Sequence, residues 1–295
     1  MSLNRRRFLT ISAGLGLGAI ASTHYIMARP AVEWQGKLMG AETSITIHGN
    51  NEMANAALKA ALEEVARLEK SFSIYNSNSE LSRLNALGGN KVSDIFMQLI
   101  QQIDDIHQLS KGLFDPTVQP LFAGESQYNI GWQYVMQQGN SIAFAKPNMA
   151  MTFNGIAQGF ITDRVSDILK VHGLDNVLVN MGEYSAGDRA FKIGIANKSE
   201  RIIKEVDLKN NAIATSSPEG LMINNKQSHI ISPNLKSEPK QWRTLSVVAK
   251  NATLADGFST ALSLTNNTKL AEQLLATGHL ERVIFEDYRG RVITI

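Results

Sequence analysis

Cysteine is absent from all 295 residues, which excludes disulfide staples, thiolate zinc sites, iron–sulfur clusters and cysteine nucleophiles together. A lipid-modified N-terminal cysteine is excluded on the same ground. Low-complexity tracts and internal repeats are missing, and aromatics are scattered at 7% of the chain, so nothing argues for a disordered majority. The chain also lacks a basic stripe. Arg5, Arg6, Arg7 and Arg29 stand without any acid in the first thirty residues, which leaves 25 basic against 27 acidic residues in the remainder. The formal charge of +2 therefore resides in the N-terminus, and no nucleic-acid partner is expected.

The leader reads as an address. Asn4-Arg5-Arg6-Arg7-Phe8-Leu9-Thr10 has the form of a twin-arginine export signal, followed by a Gly- and Ala-rich apolar core from Ile11 to Ala21. That core is shorter than the roughly 20 residues a membrane span needs. The division expected is an export signal at 1–28 and one functional domain at 29–295, placing the protein in the periplasm; an uncleaved anchor is the alternative. Gly14, Gly16 and Gly18 do not form a dinucleotide loop, because no strand precedes them.

What remains is 43% apolar and 19% charged, the balance of one large globular domain or two packed lobes. Trp34–Met39 and Thr43–His48 read as strands. A helix follows from Asn51, with Leu58, Leu62, Val65 and Leu68 at three- and four-residue steps. Further helices are expected over 94–109, 156–171, from Leu254, and over 270–276. A buried strand is expected at Val177-Leu178-Val179, with more strands at 190–195, 205–208, 212–216 and 244–249 and a closing hairpin around Tyr288-Arg289-Gly290. Strands and helices in mixed order, without regular βαβ alternation, define an α+β class.

Several groups could carry chemistry, each with a plainer alternative. Asp256, Ser259 and Thr260 fall at i, i+3 and i+4 of a helix start, so their oxygens share one face and suit a hard cation such as magnesium; alternatively Asp256 merely caps its helix. Thr152-Phe153-Asn154-Gly155-Ile156-Ala157-Gln158-Gly159 leads straight into the best amphipathic helix, where glycines let backbone N–H groups approach a phosphate. Leu113-Phe114-Asp115-Pro116 makes a turn with a fixed aspartate. Tyr75 is an ordinary rim aromatic or a ligand contact. His229 could take a proton from a hydroxyl nucleophile near neutral pH, or be a satisfied structural histidine beside two isoleucines.

Each block is weak alone, but their order is informative. Tyr75 with Ser79-Glu80-Leu81-Ser82-Arg83-Leu84-Asn85, then Phe114-Asp115-Pro116-Thr117-Val118, Gly155 to Gly159, Leu178-Val179-Asn180-Met181-Gly182, His229 to Pro233 and Ala255 to Ala261 together resemble the ApbE family from about Gly36 to the C-terminus. The resemblance implies a two-lobed α+β fold with a cofactor cleft between the lobes. It implies a magnesium-dependent FAD:protein FMN transferase, with manganese as the other cation choice, that passes FMN from FAD to a threonine of an acceptor protein and releases AMP. It assigns the metal to Asp256, Thr260 and the carbonyl of Gly155, with Ser259 as a further ligand. Contacts to FAD fall to Met39, Tyr75, Leu113, Phe114, Asp115, Thr152 and Gln158, and His229 becomes the activator of the acceptor threonine. The family's usual Asp-Leu-Gly-Gly-Ile-Ala-Lys-Gly block differs here: Thr152 stands for the aspartate and Gln158 for the lysine. Gly182-Glu183-Tyr184 likewise stands where Gly-Gly-Asp is usual. The leader, the missing cysteine and Trp34-Gln35-Gly36 resemble the NosX branch, which is associated with nitrous-oxide reductase maturation and a membrane-bound electron-transfer acceptor. An FAD pyrophosphatase and a flavin carrier are the alternatives.

Overall fold

The computed structural model describes residues 31–38, 41–197, 199–220, 222–223, 227–234 and 241–295. The export-signal reading of 1–28 and the assignment of Met39 fall outside them. No described helix is long and apolar enough to cross a membrane.

Eight strands form one antiparallel sheet and lie side by side in chain order: Ala31–Leu38, Ala41–His48, Val177–Asn180, Tyr184–Ala186, Ala212–Ser216, Trp242–Ala249, Arg282–Asp287 and Val292–Thr294. The first two form a hairpin that pairs Leu38 with Ala41 and Ala31 with His48. In the second strand Thr43, Ile45 and Ile47 are buried while Ser44 and Thr46 are not, the period-two signature of a half-buried strand. The runs Val177-Leu178-Val179 and Val247-Val248 have no such alternation. Val177, Val179 and Val247 face the main core, while Leu178 and Val248 face a second cluster. Both sides of the central strands are covered, which is why their sequences are continuously apolar.

The main core is built by helices. Between the second and third sheet strands the chain inserts α1 (Asn51–Phe72), α2 (Glu80–Leu87), α3 (Asp94–Leu109), α4 (Gln119–Phe122) and α5 (Ala157–Val171). A small sheet of Gly89–Lys91, Ser141–Phe144 and Val135–Gln138 lies in the same insertion. Two later helices are α6 (Ala252–Leu262) and α7 (Lys269–Ala276). Side chains start the first three: Asn50 accepts from the N–H groups of Glu52 and Met53, Ser79 from Ser82, and Ser93 from Phe96, caps typically worth about 1 kcal/mol each. Gly88, at φ +70°, ends α2 in a conformation that glycine adopts without penalty.

The opposite face of the sheet is covered by a hairpin of Phe191–Ala196 and Ile202–Leu208. Its Ile193, Ile195, Val206 and Leu208 pack on Tyr184, Ile213, Val248 and Ile284. The expected α+β class is therefore observed, with most elements within two or three residues of their expected bounds.

Phe72, at the end of α1, meets the rings of Phe96, Phe153 and Phe160 at centroid distances of 6.0, 5.8 and 5.7 Å. It joins α1, α3 and α5 at one point. Replacing it by alanine is expected to cost about 3–5 kcal/mol, read as a lowered urea midpoint with an unchanged slope.

Candidate active site at the start of α5

The candidate site begins where α5 meets α6. Three contacts step along the pair: Gly155 with Thr260, Gly159 with Asp256 and Ala252, and Asp163 with Ala252 and Thr253. As one number rises by four the other falls by four or close to it, so the helices run antiparallel and meet once per turn. Gly159 makes the approach possible. A Cβ there would lie 2.3 Å from the Ala252 carbonyl oxygen and 2.8 Å from the Asp256 Cβ.

The helices cap one another. Ile156, at the start of α5, offers no side-chain cap, and the N–H of Gly159 donates to Asp256 Oδ2 at 3.0 Å instead. In return Asp163 accepts the N–H groups of Ala252 and Thr253 at 2.7 and 2.8 Å, together with the Thr253 hydroxyl. Asn251 completes the start of α6 through the Leu254 N–H. Asp256 is therefore not the cap of its own helix; it answers the orphan N–H groups and positive end of α5.

The electrostatics are one-sided. Asp256 is 5% exposed, and no donor among the described residues other than Gly159 reaches its carboxylate. Burial pushes its pKa up to about 7, the Gly159 N–H opposes this, and the charge of Asp163 adds to it. Asp163 is raised to about 6 by burial, against the pull of its hydrogen bonds to Thr253 and Ala252. Glu183, buried in the turn after Val177–Asn180, accepts the Thr215 N–H at 3.2 Å. It is raised well above its ordinary value, first by burial and then by the charge of Asp256. No basic residue offsets any of the three.

The donor set fits a hard cation. The Thr260 hydroxyl donates to the Gly155 carbonyl over a long 3.4 Å, which leaves both oxygens and the Asp256 carboxylate available to a small dication that binds few protein oxygens and keeps water or phosphate as its other ligands. Among the described residues no cluster of three His, Cys, Asp or Glu side chains has metal-ligand spacing, so a cation here would depend on the carbonyl and the hydroxyl. Ser259 is turned toward the sheet. Its hydroxyl donates to the Asp256 carbonyl at 3.0 Å and shares a 2.8 Å hydrogen bond with Ser216 in the sheet. On a helix, positions i+3 and i+4 fall on opposite sides of position i, and α5 lies on the Thr260 side.

The other expected residues are placed unevenly. Gln158 packs its amide against Gly182, close enough that a Cβ there would sit 2.7 Å from its Cδ. The ring of Phe114 is within 3.4 Å of a Cβ built on Gly155, so Phe114 does border the junction, with half-buried Leu113 beside it. Asp115 is spent internally: Oδ1 accepts the Thr117 N–H and hydroxyl, and Oδ2 the Trp132 N–H. Its carboxylate holds a loop, with three acceptor sites occupied. Thr152 donates its N–H to the Pro116 carbonyl and accepts at Oγ1 from Asn154. Tyr75 lies in the loop after α1, 73% exposed. His229 is half-buried just beyond Ser228, and the following Ile231 packs on Val118, Leu121 and Ile130. Asp163 and Thr215 were not singled out from sequence; the four-residue ladder Gly155-Gly159-Asp163 facing Ala252-Asp256-Thr260 is the signal that could have found the first.

An antiparallel sheet backed by helices on one face and by a hairpin on the other defines an α+β protein. A match to the ApbE family spans residues 39–284, and the chain belongs to that family. It is 27% identical over 241 residues to an FAD:protein FMN transferase of Vibrio cholerae serotype O1, across 68% of this chain and 70% of that one. It is 25% identical over 249 residues to an FAD:protein FMN transferase of Chlamydia pneumoniae, across 72% and 77%. The crystal structure of the Pseudomonas stutzeri flavinyl transferase ApbE in its apo form superimposes with a TM-score of 0.78 at 23% identity, covering 92% of this chain and 96% of that one. The ApbE protein of Thermotoga maritima gives 0.75 at 20%, covering 90% and 96%. At these identities the solved structures speak for the shared fold.

A raised carboxyl pKa means that the folded state binds protons more tightly than the unfolded one. The protein without metal is therefore expected to lose stability as pH rises from about 4 to about 7, and to lose no more from this group above that. Asp256→Asn removes that titration. The fall in melting temperature between pH 5 and pH 7.5 should be smaller in the variant, measured calorimetrically in EDTA; an undiminished fall would refute the assignment.

Proposed function

We propose that the chain is an FAD:protein FMN transferase. The observation that carries the reading is the buried Asp256 carboxylate, met by one N–H at the start of α5 and flanked by the Gly155 carbonyl and Thr260 hydroxyl. Magnesium, held by Asp256, Thr260 and the Gly155 carbonyl, would neutralise charge on the pyrophosphate oxygens of FAD. Manganese would suit the same donors. The N–H groups at the α5 start favour the same anion through the helix dipole.

The reaction balances simply. A threonine hydroxyl of the acceptor attacks the FMN phosphorus, a P–O bond forms, the P–O bond to AMP breaks, and AMP leaves with the pyrophosphate electron pair. The hydroxyl proton passes to His229, a step typically worth about 10²- to 10⁴-fold. Phe114, Leu113, Gln158, Thr152 and Tyr75 would position the dinucleotide; Asp115 acts by holding the loop from which Phe114 projects. The twin-arginine leader supports a periplasmic site of action. The likeness to the NosX branch supports a membrane-bound electron-transfer acceptor linked to nitrous-oxide reductase. Gln158, uncharged where a lysine is usual, favours a second reading in which FAD is carried intact or cleaved to free FMN.

The test is incubation of the purified protein with FAD, magnesium and a candidate acceptor domain, followed by intact mass spectrometry. One FMN added to the acceptor, with AMP released, is the expected result. AMP with free FMN would indicate a pyrophosphatase, and intact bound FAD a carrier. Asp256→Ala is expected to abolish transfer while the circular dichroism spectrum is unchanged.

A paired comparison separates the two hydroxyls of α6. Thr260→Val should lower turnover at least tenfold and raise the magnesium requirement. Ser259→Ala should cost about 1 kcal/mol of stability and leave the magnesium dependence as it was. Similar magnesium curves for both variants would remove Thr260 from the ligand set.

A further inference from the structure

A groove of about 630 Å³ opens between the end of α1, the start of α2 and the strand Gly89–Lys91. Arg67, Lys70, Arg83 and Lys91 line it, along with Asn76 and Asn78. Its one acid, Glu80, is turned inward, its oxygens taken by the Ser71 hydroxyl and by the N–H and hydroxyl of Ser93. Arg67 is answered by Glu64 at 2.6 and 2.7 Å. Arg83 donates only to the Asn78 carbonyl, at 2.6 Å. Among the described residues neither Lys70 nor Lys91 makes an ion pair. Arg83, Lys70 and Lys91 thus line one opening and outnumber its single carboxylate, Glu80, and an excess of one charge in such a cleft focuses the field toward an incoming anion.

We propose that this groove docks an acidic segment of the protein acceptor. The inference rests on the transferase reading, which requires a protein to approach the site. The groove adjoins segments that carry proposed FAD contacts: Asn76 and Asn78 sit in the loop that carries Tyr75, and Asn85 near the end of α2 holds Met151, next to Thr152, through two hydrogen bonds of 2.8 Å. A single phosphate would leave most of this volume empty, whereas an extended chain with several carboxylates can reach all three cations and bond the two asparagine amides. Charge of this kind at a rim governs encounter and salt dependence more than the chemical step.

The test uses the full protein and the double variant Lys70→Glu/Lys91→Glu, neither residue belonging to the reacting site. A fluorescein-labelled oligoglutamate peptide should bind the parent saturably, with binding that weakens as salt rises, and bind the variant about tenfold more weakly. In the FMN-transfer assay the variant should show a KM for the acceptor raised about tenfold, with kcat and FAD affinity unchanged. Equal peptide binding by both proteins, with transfer intact and KM unmoved, would overturn the groove alone. Loss of pyrophosphate or phosphatidylglycerol-vesicle binding in the variant, with peptide binding unaffected, would also overturn it. Absence of transfer to any acceptor, with peptide binding lost in the variant as expected, would instead overturn the transferase reading.

Discussion

The hydrogen bond from the Gly159 N–H to Asp256 joins the two helices on which the site depends. It forms because residue 159 has no side chain to keep the helices apart, and because the start of α5 has no cap of its own. Asp163 closes the arrangement from the other side by capping α6. Each helix therefore supplies the carboxylate that the other's N-terminus lacks, and the separation of the pair is set at two points one turn apart. Gly155 and Thr260, one further turn along, are brought together by the same geometry.

That geometry has an electrostatic cost. Asp256, Asp163 and Glu183 are taken out of water near one another, and backbone N–H groups compensate only in part. A fold selected for stability alone would place a base or an apolar residue here, because an unpaired buried carboxylate is expensive. A dication would reverse the sign of the arrangement, turning repulsion between carboxylates into shared attraction. The raised pKa values and the mixed oxygen donors are thus two consequences of one choice of residues.

The sequence made some of this legible. Val177-Leu178-Val179 announces a strand, because a short apolar run without alternation fits an element covered on both faces; it does not say that helices cover one face and a hairpin the other. The spacing of Asp256, Ser259 and Thr260 gives a shared helical face, but it does not say what that face meets. The face is wide enough for two neighbours: Thr260 meets the Gly155 carbonyl before α5, and Ser259 the sheet strand bearing Ser216. Asp115 is legible as a fixed turn aspartate, but the partners that fix it, the Thr117 N–H and hydroxyl and the Trp132 N–H, are not. Glu183 could not be joined to Asp256 by spacing, since it lies more than seventy residues away in the chain and on no matching ladder.

The same distinction orders the whole molecule. Groups that contact each other within a turn of helix are readable from their spacing, and they build the cradle. Groups that meet only through the sheet order, such as Glu183 with Thr215, tune its charge. The chain-order arrangement of strands makes that second set reproducible: each strand pairs with those before and after it, so a residue in the turn after Val177–Asn180 necessarily falls beside Ala212–Ser216 and faces the helix that follows the next strand. The cradle therefore needs little long-range coincidence. One glycine to admit the second helix and one meandering sheet to present it are enough to set Asp256 against Gly159 and Thr260 against Gly155, across about a hundred residues of chain.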